Sequence, residues 1–137
     1  MEAITIIKEF LGESQFVYRE IDQTALEATV SCNNSTTSCV FTTLEAGEVQ
    51  VIFSMPYYMA PSPELHALVY GISETLPLGG LYVCPELWMV LAKMTTPSRG
   101  LTKETVQFAF EVAKDVAEKW AEPVWTVGLA AVSEEAA

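Results

Sequence analysis

Cys32 and Cys39 bracket one polar stretch, Asn33 to Ser38, and their type and spacing suggest a disulfide or a thiolate pair for a metal. Strand parity argues against both. Leu26, Ala28, Val30 and Cys32 alternate with Glu27, Thr29 and Ser31, the period-2 pattern of a half-buried strand. If Val30 and Cys32 share a core face with Val40 and Thr42, then Cys32 faces Val40 and not Cys39. The register that would pair the cysteines puts Val30 on the face of Phe41 and Ile52, which is also apolar. Free cysteine usually behaves as a small buried hydrophobe. Three cysteines, an odd number, fit a reducing cytoplasm better than a secreted disulfide framework. Cys84 falls on a strand with no visible partner.

His66 is the only histidine. It lies off the apolar stripe of its helix and reads as a solvated imidazole. No CxxC or HxxxH spacing accompanies it to make a metal site. Glu45 and Glu48 flank a turn, where exposed acids are ordinary. Leu78-Gly79-Gly80-Leu81 is too short for a phosphate loop and reads as a helix stop followed by a strand start. The residues therefore predict no catalytic group, no metal ligand and no cofactor.

The elements that would position these residues follow from changes of hydrophobic period. Residues 2–11 read as a helix with Ile4, Ile7, Phe10 and Leu11 on one side and Gly12 as its left-handed cap. Phe16 to Asp22 is a strand, and Leu26 to Cys32 is another. Strands at 39–45 and 48–55 flank Ala46-Gly47. A tight hairpin there pairs Leu44 with Val49, Thr42 with Val51 and Val40 with Phe53, all on the core face. Pro56 to Pro61 breaks the pattern. Ser62 caps a second helix, with Pro63 at its first position and Glu64 near its positive end. Leu65, Leu68, Val69, Ile72 and Leu76 form its stripe. Residues 80–94 read as a hairpin turning at Pro85-Glu86, which pairs Cys84 with Leu87, Val83 with Trp88 and Leu81 with Val90. Thr102 caps the last helix, and Leu101 staples to Val106. That helix carries the stripe Val106, Ala109, Phe110, Ala113, Val116, Ala117 and Trp120, and Pro123 is expected to end it. The fold class is α+β: an antiparallel sheet with three helices packed mainly on one face, in the order α, three or four β, α, β, β, α. Residues 1–137 read as a single domain with an apolar C-terminal tail from about 123.

Partners are bounded by charge. The net charge is −11, from 18 acidic and 7 scattered basic residues. Such a chain repels phosphate backbones and anionic lipid heads, so neither nucleic acid nor membrane is an expected partner. The start, Met-Glu-Ala, lacks the basic and apolar regions of a signal peptide, and the expected location is the cytoplasm.

Apolar surface is the more informative feature. The loop Met55 to Met59 contributes Tyr57, Tyr58 and Met59. In the strand at 87–94, Trp88, Val90 and Met94 point one way while Leu87, Met89 and Leu91 point the other, so both faces need cover. Trp125 and its apolar neighbours to Val132 add more. Either loop and tail fold back over the sheet, or they form an interface with a protein partner. The candidate protein-binding residues are Tyr57, Tyr58, Met59, Leu87, Trp88, Met89, Leu91 and Trp125.

The element order, and the run from Gly80 through Thr95-Thr96-Pro97 to Gly100-Leu101-Thr102-Lys103-Glu104-Thr105-Val106, resembles the YbjN-like family over about residues 2–122. These small bacterial proteins are labelled sensory-transduction regulators. The resemblance implies a fold like that of type III secretion chaperones, which hold an unfolded segment of a partner as homodimers. It carries over no functional residue. The expected function is a non-enzymatic, chaperone-like or regulatory protein-binding module, with a homodimer as a related expectation. The alternative is a small-molecule binder or enzyme with a pocket between sheet and helices, using His66, Cys84 or a tyrosine.

Overall fold

The structure, a computed structural model, describes the backbone of residues 2–136 and the side chains of residues 2–128. The elements are α1 (Ala3–Glu13), β1 (Val17–Asp22), β2 (Ala25–Cys32), β3 (Ser35–Leu44), β4 (Glu48–Tyr58), α2 (Pro63–Thr75), β5 (Gly80–Cys84), β6 (Met89–Pro97) and α3 (Lys103–Ala136). The strands form one six-stranded antiparallel sheet, ordered β1-β2-β3-β4-β6-β5. The α+β class and the element order match the expectation.

Helix α1 buries Ile6, Ile7, Phe10 and Leu11. It runs through Gly12 rather than stopping there. Gln15, at φ +60°, takes the left-handed position instead. The Gln15 N–H donates to the Gly12 carbonyl and the Phe16 N–H to the Leu11 carbonyl, both at 3.1 Å. This Schellman pair closes the helix one turn later than glycine alone would indicate.

Two turns reset the strand register. Asn33 and Asn34, at φ +49° and +67°, close β2–β3 as a two-residue turn of the kind that requires left-handed backbone at both positions. Cys32 therefore pairs with Ser35, and Cys39 pairs with Ala28 and Phe53. The expected Cys32–Val40 pair does not form. Both thiols point into the core, fully buried and free. The β3–β4 connection is a three-residue loop, Glu45 to Gly47, in which Gly47 sits at φ +87° and donates to the Leu44 carbonyl. The extra residue moves β3 by one. Thr43 faces Val49, Phe41 faces Val51 and Cys39 faces Phe53, so Val40, Thr42 and Leu44 leave the core face.

A third turn shifts the hairpin partners by two residues, which leaves every side chain on its expected face. Four residues, Pro85 to Trp88, separate β5 from β6. Cys84 pairs with Met89, Val83 with Val90 and Leu81 with Ala92. Strand β4 also continues past Pro56 to Tyr58. Its pairing with β6 is irregular between Ser54 and Tyr58, the kind of place where a strand tolerates proline. Tyr57 and Tyr58 are thus strand residues, not loop residues.

The helices cover the inner face. Phe110 of α3 is the aromatic hub, with ring centroids 5.4 Å from Phe16, 5.9 Å from Phe53, 6.0 Å from Phe10 and 6.2 Å from Phe41. Ser62 caps α2 as expected, accepting from the Leu65 N–H at 3.1 Å. Thr102 caps α3, accepting from the Thr105 N–H at 3.2 Å. Pro123 does not end α3. A mid-helix proline costs about 3 kcal/mol. Beyond it Val124 is fully buried, Trp125 packs on Tyr57, and Gly128 lies against Met59, so burial offsets that cost. The tail is the end of this helix and folds back onto the body as far as Gly128. The side chains from Leu129 to Val132 lie outside the described residues.

Candidate functional site

One end of the sheet gathers the Asn33–Asn34 turn, the last residues of β4, the Pro85–Trp88 turn and the middle of α3. Antiparallel pairing requires the first three to be neighbours. The fifth turn of α3 reaches the first of them: the Asn33 N–H donates to Glu118 Oε2 at 3.2 Å, and the Asn33 side-chain amide donates to the Glu118 carbonyl at 3.1 Å.

Most of the candidate residues meet at this end. Tyr58 pairs with Met89 across β4–β6, and the Met59 N–H donates to the Trp88 carbonyl at 2.6 Å. Tyr58, Leu87 and Trp88 are 75%, 58% and 56% exposed, which makes them an uncovered apolar tip. Leu87 and Trp88 belong to the turn and not to the two faces of a strand, a consequence of its four-residue length. Trp88 adopts φ +54°, a left-handed backbone that bulky residues rarely take. Met59 is 3% exposed and supports this end without presenting itself. Tyr57 and Trp125, both half-buried, pack in a tilted pair with centroids 4.7 Å apart. Met89 and Leu91 are half-buried. Leu91 lies farther along the outer face, paired with Tyr82 and Ser54.

Beside the tip is a groove of about 810 Å³, lined by Asn33, Tyr57, Glu118, Lys119, Glu122, Pro123, Trp125 and Thr126. Its polar members carry no sequence motif, because Asn33 and Glu118 meet only through the fold. A smaller cleft of about 360 Å³ takes in His66, Tyr70, Ser73 and Tyr82. Cys84 is not in its wall; its Sγ lies 3.6 Å from Glu86 Oε2. The space between sheet and helices is filled by the aromatic hub and its neighbours. Burial pushes the Cys39 thiol well above its ordinary range, and burial with the nearby Glu118 carboxylate raises Cys32. Both are therefore protonated and poor nucleophiles at neutral pH. No three His, Cys, Asp or Glu side chains among the described residues cluster as a metal would need, and no helix among them is long and apolar enough to cross a membrane.

The two edges of the sheet differ, which sequence reading missed. Ser73 of α2 closes β5: its hydroxyl accepts from the Leu81 N–H at 3.0 Å and donates to the Leu81 carbonyl at 2.9 Å. The opposite edge, β1, has all six residues exposed, including Val17 and Ile21. Its sequence, Val-Tyr-Arg-Glu-Ile-Asp, lacks a consistently apolar face, and that was the available signal.

The sequence matches no family model and no curated protein. Solved structures do match the arrangement of elements. The type III secretion chaperone SycH of Yersinia pestis, in complex with a stable fragment of YscM2, superposes with a TM-score of 0.58 at 11% identity, over 84% of this chain and 96% of that one. The fold is that of a type III secretion chaperone. A structure of the ExsC–ExsE complex superposes with a TM-score of 0.66 at 12% identity, over 86% of this chain and 90% of that one. In the HopA1–SchA chaperone–effector complex the values are 0.59, 14%, 87% and 92%. At such identities the chaperone-like likeness is one of fold.

Proposed function

We propose that this protein is a non-enzymatic binding module that holds a segment of another protein, as a chaperone or a regulator, in a bacterial cytoplasm and with its whole chain acting as one unit. The observation that carries this reading is the apolar tip. Tyr58, Leu87 and Trp88 stand in water on a protein whose core is otherwise well filled. Exposed apolar side chains grouped on one end, two of them aromatic, are the usual material of a protein contact. The solved structures of the same fold were determined as complexes with partner proteins, and this supports the reading by analogy.

The open β1 edge offers the same partner a second foothold. An extended segment can add to it as a further strand through backbone hydrogen bonds, whereas β5 is closed to such addition by Ser73. The YbjN-like resemblance of the hairpin–Pro–helix junction stands beside this as the family we assign. A homodimer is part of the proposal, and light scattering showing a monomer at high micromolar concentration would remove that part.

The test is affinity capture from native lysate with mass spectrometry, run in parallel on wild type and Trp88→Asp. The reading expects a stoichiometric protein on the wild type that is missing from a folded Trp88→Asp. Identical partners on both baits, or none on either, would overturn it.

A further inference from the structure

The groove beside the tip has an aromatic wall and an acidic wall. Tyr57 arrives from the end of β4 and Trp125 from α3, and their rings are in tilted contact and half-buried, 34° from parallel. Glu118 and Glu122 are four residues apart on α3 and so lie on one side of it, where like charges repel. Neither forms an ion pair: among the described residues the pairs are Lys8–Glu20, Arg19–Glu27 and Lys103–Glu13. The Asn33 N–H fixes Glu118 Oε2, and the other carboxylate oxygen makes no hydrogen bond among the described residues. Lys119, the one cation among the described residues lining the groove, places its Nζ 5.3 Å from the centre of the Trp120 ring.

We propose that this groove binds an arginine side chain of the partner's segment. The inference rests on the protein-binding reading above and names the chemistry of what is bound. A guanidinium is planar and always charged. It can lie against the part of the Tyr57–Trp125 pair that lines the groove while its edge donates to Glu118 and Glu122. The occupant relieves the repulsion between the two carboxylates and is drawn to a chain of net charge −11. An acidic or phosphorylated segment meets the opposite field.

The test uses the full ¹⁵N-labelled chain and two capped pentapeptides, Ac-Ala-Leu-Arg-Leu-Ala-NH2 and the same peptide with neutral citrulline in place of arginine. The expected result is that the arginine peptide moves the Trp125 indole N–H resonance. The citrulline peptide should bind about tenfold more weakly, the scale of a charge-assisted hydrogen bond. Glu122→Gln should weaken the arginine peptide several-fold and leave the citrulline peptide unchanged. Equal affinity for the two peptides, or shifts that avoid Trp125, would overturn the proposal. Capture of the native partner that fails with Trp88→Asp but is untouched by Glu122→Gln would keep the protein-binding reading and remove the arginine site.

Discussion

The backbone N–H of Met59 donates to the carbonyl of Trp88 at 2.6 Å, tying the end of β4 to the turn between β5 and β6. Through this bond the buried Met59 anchors a turn whose tryptophan faces water at φ +54°. Left-handed backbone costs an L-residue about 1–2 kcal/mol, and an exposed indole recovers little of it by packing. Trp88 is therefore held at some expense of stability, as residues at contact sites often are.

Trp88→Gly removes that strain, because glycine accepts positive φ. Its greater unfolded-state freedom takes back part of the gain, and the net expectation is stability unchanged or raised by up to about 1 kcal/mol. Partner capture should be lost. Urea unfolding and pull-down on the same sample check both halves. A variant that is clearly less stable would show that the indole supports the fold.

Ser73→Ala opens the closed edge of the sheet. The hydroxyl satisfies both the N–H and the carbonyl of Leu81, and without it these half-buried groups lose their partner. The expected cost is about 1–3 kcal/mol by chemical denaturation. Unchanged stability would mean that water replaces the hydroxyl fully.

Pro123→Ala should stabilise the protein by about 1–3 kcal/mol, since α3 runs through this position and proline both lacks an N–H and crowds the preceding turn. A melting temperature that falls would show that the helix needs the bend proline imposes.

Thiol labelling should separate the three cysteines. Cys84 reacts first in the native protein. Cys32 and Cys39 react only on unfolding, because burial holds both thiols protonated. The linkage has a definite sign. A thiol whose folded pKa is raised contributes stability that is fully present below the unfolded thiol's pKa, about 8.5, and is lost as pH rises from there toward the folded value. Cys39→Ala should therefore flatten the alkaline limb of the stability curve. Rapid native labelling of Cys39 would contradict its place in the core.

Asp22 has the opposite sign. The Thr24 N–H at 2.7 Å, then the Thr24 hydroxyl at 2.8 Å, hold its carboxyl below the ordinary carboxylate value. Its contribution to the β1–β2 turn is present above the unfolded pKa of about 3.9 and is lost as pH falls through the lower folded value. An NMR titration of Asp22 that gives an ordinary or raised pKa would refute the turn geometry.

Periodicity by itself determined the class, the element order, both side-chain caps and the inward residues of β2 and β4, because each of these is written in the spacing of neighbouring residues. Leu26, Ala28, Val30 and Cys32 alternate whatever lies opposite them. Register was different. Asn33-Asn34, Glu45-Ala46-Gly47 and Pro85 to Trp88 are turns of two, three and four residues; an odd error in register, as at the first two, moves a whole strand to its other face, whereas the two-residue shift at the third changes partners only. The course of α3 past Pro123 likewise depended on what Val124, Trp125 and Gly128 found beneath them, since a helix end is decided by packing as much as by its breaker. The groove was the least legible feature. Asn33, Tyr57, Glu118 and Trp125 come from three distant segments, and only the closed sheet with α3 laid across it brings them together.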